Sequence, residues 1–412
     1  MIEPAGCSSF TVSVTTSVRE TIDELRSDGR GIILVMIAAG WFFSLGVRMV
    51  YPALLPHIRV TYSMTLSTAG LLLTALWLAY AFGQLPAGVL ADRIGEGRVM
   101  MVSSLVSVAA IAMVVLAEST LVLFVATVLF GLITALYGVA RFTALSQLYP
   151  ENDGTAIGLT MGAGDMGNAS LPPIAGFITT LFAWQYGLGI AIPMFAVTAL
   201  GLWVFVPDRT SNAAAVESIS LETIRYVGRQ VLDPSILVIA TIQVLVYCVW
   251  QALTGFYPTY LIEMKGFRAT TASGLFGFFF ALGIVVKPLS GTLYDRLGAR
   301  RPLYGLLSAL ALALIALPFA EGFWMLLAVT VPLSGALGYS TITLTYMTSG
   351  LAEDVQNTGL GVLRTSYMAI GALSPTMVGI LADRGYFDEA FFLLAGFVLV
   401  ALVCVRIVTE PE

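Results

Sequence analysis

The chain has 412 residues, 58% of them hydrophobic and only 11% charged, with a mean hydropathy of +0.90 and a formal net charge of −5. That composition excludes a soluble globular protein of this length and leaves an integral membrane protein in contact with the lipid bilayer. The acidic balance gives no reason to expect a nucleic-acid partner.

In chain order, residues 1–30 read as a polar cytoplasmic tail, without the basic start, short apolar stretch and small-residue cleavage site of a signal peptide. Twelve apolar runs follow, each long enough at about 1.5 Å per residue to cross a core of about 30 Å as a helix. The first six are expected near 31–56, 66–91, 99–117, 120–148, 155–182 and 185–206, and form an N-terminal six-helix bundle over 31–207. Residues 208–234, "DRTSNAAAVESISLETIRYVGRQVLDP", read as a cytoplasmic central loop. The other six are expected near 235–261, 271–293, 302–319, 323–349, 357–382 and 389–408, a C-terminal bundle over 235–408 followed by a cytoplasmic end at 409–412. With the tail inside, the inside segments hold twelve Lys and Arg against four outside, so both termini are expected in the cytoplasm.

The two halves repeat one another. "GVLADRIGEGR" at 88–98 matches "GTLYDRLGARR" at 291–301, with Gly88, Asp92, Arg93, Gly95 and Arg98 recurring 203 positions later as Gly291, Asp295, Arg296, Gly298 and Arg301. The same offset takes Thr155, Gly158, Pro172 and Gly176 onto Thr358, Gly361, Pro375 and Gly379. A constant offset over that distance indicates a duplicated unit. Gly88 and Gly291 would permit close helix approach and Gly95 and Gly298 a tight turn. The Asp-Arg pairs would latch helix ends together in one state.

Twelve spans in two parallel halves with GxxxDRxGxxR in both the 2–3 and 8–9 loops resemble the major facilitator superfamily, over residues 31–408. The resemblance implies an all-α membrane protein of two pseudo-symmetric six-helix bundles rocking about a site near the bilayer midplane, in alternating access. It also implies that spans 1, 4, 7 and 10 line the cavity, that 2, 5, 8 and 11 meet between the halves, and that 3, 6, 9 and 12 support from outside. Glu96 and Gly97 depart from the basic residues usual in the first loop motif, which would weaken that latch.

Five spans carry one charge each: Arg48, Arg141, Asp165, Lys287 and Arg364. A charge near the bilayer centre costs roughly 2.5 to 3.5 kcal/mol on insertion scales, so each asks for a partner or a wet cavity. Counted from the inner helix ends, Lys287, Arg364 and Arg141 lie about 11 to 14 Å deep, Asp165 about 16 Å and Arg48 about 24 Å. Lys287 could snorkel to the inner interface, or be satisfied by Asp165 or Gln84 of the other half. Arg141 and Asp165 could instead form a structural bridge between neighbouring helices.

Four cations against one carboxylate attract an anion. The expected binding residues are Arg48, Lys287 and Arg364, with Tyr51, Gln251, Trp250, Tyr339 and Tyr367; Asp165 with Arg141 is the expected proton-coupling pair. "KPLSG" and "AIGLTMGAGDMG" resemble stretches of monocarboxylate porters, Lys287 with Arg364 is similar to oxalate-type exchangers, and Arg48 is similar to a feature of organic anion and phosphate-ester symporters. No nucleotide-binding loop, metal-ligand cluster or nucleophile motif is present, so no catalytic residue, cofactor or ATP-driven step is expected. The reading is a monomeric secondary transporter in the cell membrane that moves a small monocarboxylate-like anion with a proton. The alternative is a proton-driven exporter of drugs or other lipophilic compounds.

Overall fold

The computed structural model describes residues 29–208, 226, 228–352 and 356–408; the tail, most of the central loop and the C-terminal end expected above lie outside these. The described chain is helical almost throughout. The first bundle comprises α1 (Arg30–Thr61), α2 (Leu66–Ile94), α3 (Glu96–Val115), α4 (Thr120–Leu148), α5 (Asp153–Leu181) and α6 (Trp184–Phe205, interrupted at Ile190). The second comprises α7 (Pro234–Glu263), α8 (Ala269–Leu297), α9 (Arg300–Phe319), α10 (Gly322–Gly350, broken at Ser334), α11 (Thr358–Asp383, broken after Gly371) and α12 (Phe387–Val405).

Eleven of these are apolar and long enough to cross a membrane; α5 is equally long but too rich in Gly, Asp and Asn to qualify on composition. Its small residues do packing work instead. Gly167 meets the backbone of Phe42, and a Cβ on Gly46 would stand 2.7 Å from the Gly167 carbonyl, so α1 and α5 touch backbone to backbone. Pro172 and Pro173 both lie within its continuous run.

Within the first half α1 packs on α5, α2 on α4, and α3 on α4 and α6; within the second, α12 packs on α7 and α9, and α10 on α7 and α8. The halves meet through α5 with α8 and α2 with α11, and secondarily through α1 with α7. This is the pairing the resemblance implied.

Contacts between halves are concentrated at one end. Asp383 of α11 accepts from the backbone N–H of Leu66 and Ser67 at 2.7 and 2.8 Å, capping the N-terminus of α2 across the halves. Arg59 pairs with Glu263 there, and Thr74 bonds Thr376 at 2.8 Å. Gly277 meets Ala169 and Pro173. At the other end, which carries the two Asp-Arg loops, Gly88, Gly158, Gly162 and Gly361 face open space. The halves are closed at the end opposite the Asp-Arg loops and apart at the end that carries them.

Gly95 and Gly298 adopt φ of 94° and 72° and end α2 and α8 in the tight turns expected of them. Gly88 meets nothing, and a Cβ on Gly291 would make only ordinary contact with Thr341 of its own half at 3.6 Å. Close helix approach at these two glycines is absent in this state, because the halves are separated there. Asp92 and Arg93 are exposed, as are Asp295, Arg296 and Arg301. Arg98 pairs with Asp208, just beyond the end of α6, at 2.6 Å. Gly97, the departure from the usual motif, is explained by sterics: a Cβ there would collide with the Pro207 carbonyl oxygen, so no basic side chain fits.

Candidate functional site

Between the halves lies a cavity of about 210 Å³ whose lining includes residues from α1, α2, α5, α7, α8, α10 and α11. Of the residues singled out from the sequence, Arg48, Asp165, Lys287, Arg364, Trp250, Tyr339 and Tyr367 line it. Three others do not. Tyr51 is fully buried inside the first bundle, stacked on Phe130 at 6.0 Å. Gln251 is buried beside the lining and donates to the Tyr247 hydroxyl. Arg141 lies behind the wall, and α4 contributes no lining residue, so the implied role of that helix is not met here.

The wall around Arg48 is built from aromatic faces. The α1 residues Trp41, Leu45 and Arg48 follow helical spacing and present one stripe to the cavity. Arg48 is completely buried, its Nε donating to the Ser44 carbonyl at 2.9 Å. Its guanidinium lies 3.8 Å from the Tyr80 ring centroid, 5.3 Å from Trp77 and 5.5 Å from Trp41. Ring quadrupoles offset part of the burial of a cation but accept no full hydrogen bond. Both terminal nitrogens, Nη1 and Nη2, lack a hydrogen-bond partner among the described residues.

Arg141 approaches the same tryptophan, 3.7 Å from the Trp41 centroid and 4.1 Å from Phe142. It donates to Thr160 Oγ1 at 3.0 Å and to Met161 Sδ at 3.3 Å. The bridge to Asp165 considered from sequence is not formed. Arg141 meets α5 about one turn earlier, while Asp165 turns across the cavity to Lys287.

That contact is the closest polar link between the halves at cavity level: Lys287 Nζ lies 2.6 Å from Asp165 Oδ1, with side-chain exposures of 31% and 17%. Lys287 therefore does not snorkel in this state. Its repeat equivalent Gln84 donates to Met368 Sδ at 3.2 Å, and Met368 is the repeat equivalent of Asp165.

Toward the closed end, edge-to-face and stacked rings run from Tyr80 through Trp77, Trp250 and Tyr247 to Tyr367, joining α2 to α7 and α11. Trp41 and Trp77 did not emerge from the sequence, because tryptophans in apolar spans carry no mark that separates packing from lining. Their spacing from Arg48 and Tyr80, at seven and three residues, was the available signal. On α10 the Tyr339 hydroxyl is buried without a hydrogen-bond partner among the described residues, as is Nε of Arg364 on α11.

The Major Facilitator Superfamily model matches residues 36–375. The uncharacterized transporter YgaY of Escherichia coli O157:H7 is 27% identical over 183 residues, which is 44% of this chain and 45% of that protein, so this match spans less than half of either. The Cupriavidus necator protein named Probable sulfoacetate transporter SauU is 25% identical over 400 residues, covering 90% of this chain and 91% of that one. Among solved structures, a bacterial homolog of the human lysosomal transporter Spinster superposes with a TM-score of 0.76 at 17% identity, over 92% of this chain and 96% of that one, a likeness of fold. With the doubled loop motif and the two joined bundles, these matches make the chain a member of the Major Facilitator Superfamily.

Proposed function

We propose that this protein is a secondary active transporter that moves a small organic anion across the cell membrane by alternating access, coupled to protons. The observation that carries this reading is Arg48: a fully buried guanidinium with both terminal nitrogens unpaired, in a cavity it shares with Arg364. A buried charge without a partner is costly unless an opposite charge occupies the site, and a guanidinium fork suits a carboxylate. The size of the cavity argues for small cargo, since sites for drug-sized molecules are about 300 to 1,000 Å³. The protein named for sulfoacetate, aligned over nine tenths of this chain, supports an anionic class.

Proton coupling is assigned to Asp165. It is the carboxylate that lines the cavity, and it meets Lys287 across the halves at 2.6 Å. Separation of the halves at the Asp-Arg loops and closure at the other end fits one limb of alternating access. The excess of Lys and Arg in the segments on the loop-motif side supports cytoplasmic termini and an inward-facing state. A monomer is sufficient, because the cavity lies within one chain.

The run of aromatic rings gives the second reading its one support, export of a lipophilic compound. Uptake into proteoliposomes of labelled carboxylates, sugars and drugs, with and without a pH gradient, separates the two. Carboxylate uptake stimulated by a gradient is the expected result. Transport of neutral sugars or lipophilic drugs alone would overturn the anion reading.

A further inference from the structure

We propose that the cargo is a small dianion, one negative charge met by Arg48 and the other by Arg364. This rests on the anion reading above and sharpens it. Three cations and one carboxylate line the cavity, Arg48, Lys287, Arg364 and Asp165. Lys287 and Asp165 neutralise each other at 2.6 Å, which leaves a net charge of plus two on two guanidinium groups that have no ion pair among the described residues.

The unused hydrogen-bonding atoms point the same way. Nη1 and Nη2 of Arg48, Nε of Arg364 and the Tyr339 hydroxyl are buried without hydrogen-bond partners among the described residues. The arginine nitrogens are donors only, and the phenol can donate. Aromatic stacking holds the Arg48 fork in place while leaving it chemically unspent. A monoanion would compensate one guanidinium and leave its neighbour uncompensated in a site walled by rings. A dianion compensates both without disturbing the Lys287–Asp165 pair. The cavity of about 210 Å³ suits a short carbon chain bearing two acidic groups, or a single phosphate.

Titration calorimetry on the purified full-length protein, at a mildly alkaline pH where phosphate is a dianion, tests this with each carbon skeleton in three charge states. The probes are malonate and succinate, their monomethyl esters and their dimethyl esters, with inorganic phosphate as a dianion on one centre. Each dicarboxylate should bind about tenfold or more tighter than its own monoester, and the diesters should not bind. Arg364→Gln should bring dicarboxylate binding down to the level of the wild type with the monoester. If that variant is not monodisperse, the ester series on the wild type decides alone. Phosphate binding as tight as that of malonate would put both charges on one group; weaker binding would put them on two. Monoesters binding as well as dicarboxylates would overturn the dianion and keep the anion reading. Diesters binding best would overturn both. No binding of malonate, succinate or phosphate would overturn the dianion.

Discussion

Lys287 and Asp165 touch across the two halves at 2.6 Å, and the residues 203 positions from each, Gln84 and Met368, touch across the halves as well, at 3.2 Å. One contact of the duplicated scaffold is thus present twice, once neutral and once charged. The charged copy is the place where the two halves have diverged in chemistry while keeping geometry.

That relationship predicts the behaviour of a symmetrised variant. Lys287→Gln together with Asp165→Met should fold and keep the inter-half contact, retain anion binding through Arg48 and Arg364, and lose stimulation by a pH gradient. Lys287→Gln alone leaves an unpaired carboxylate facing the anion. It should lower uptake about tenfold or more and destabilise by an amount between the ~1 kcal/mol of exposed pairs and the ~3 to 5 of buried ones. Uptake with and without a gradient, beside thermal unfolding in detergent, checks both. Gradient-dependent uptake in the double variant would refute the coupling role.

Arg48→Lys keeps the charge among the rings but replaces the planar fork with a point charge. Anion affinity should fall about 10- to 100-fold, equivalent to one or two charge-assisted hydrogen bonds. Unfolding temperature should change little, since no ion pair is broken. An unchanged affinity would remove Arg48 from the binding site.

At the closed end, Asp383→Ala removes the carboxylate that caps α2 from the opposite half. Charged hydrogen bonds of this kind contribute about 1.5 to 3 kcal/mol, enough to shift a two-state equilibrium by tenfold or more. Spin labels at residues 118 and 321, in exposed loops of the two halves at that end, should show a larger population of long distances in the variant. An unaltered distance distribution would mean that Asp383 does not hold this end shut.

Two glycines of the first loop motif should respond oppositely. Gly97→Ala forces a Cβ into the Pro207 backbone and should destabilise by about 1 to 3 kcal/mol. Gly88→Ala enters open space and should leave stability within about 0.5 kcal/mol, yet slow uptake if helices close on Gly88 in the opposite state. Unfolding midpoints and initial uptake rates separate the two effects.

The fold was legible because hydropathy and the 203-residue offset are one-dimensional signals, and the two positive-φ glycines were readable as turns. The charged members of the site were legible for a related reason, since a charge in an apolar span is conspicuous. Which face of a helix meets the cavity was not. The lining stripes are Trp41, Leu45 and Arg48 on α1, and Gln243, Tyr247 and Trp250 on α7. At about 100° per residue, Tyr51 and Gln251 stand roughly 70 to 90° around the axis from those stripes. Both are on lining helices, and both turn into the packing instead. In a span apolar on every side, polarity does not encode rotation, so only the charged residue itself marked the stripe. Arg141 was misplaced for a different reason: Asp165 had two cations within plausible reach, and nothing in the chain order favours Lys287, 122 residues away, over Arg141, 24 away.

The claim that an anion binds between Arg48 and Arg364 is tested most directly by titration calorimetry with malonate on three proteins: the wild type, Arg48→Gln, and the Lys287→Gln, Asp165→Met double variant. Binding should be present in the wild type, lost in Arg48→Gln and kept in the double variant, with all three monodisperse. Undiminished malonate binding by Arg48→Gln would contradict it.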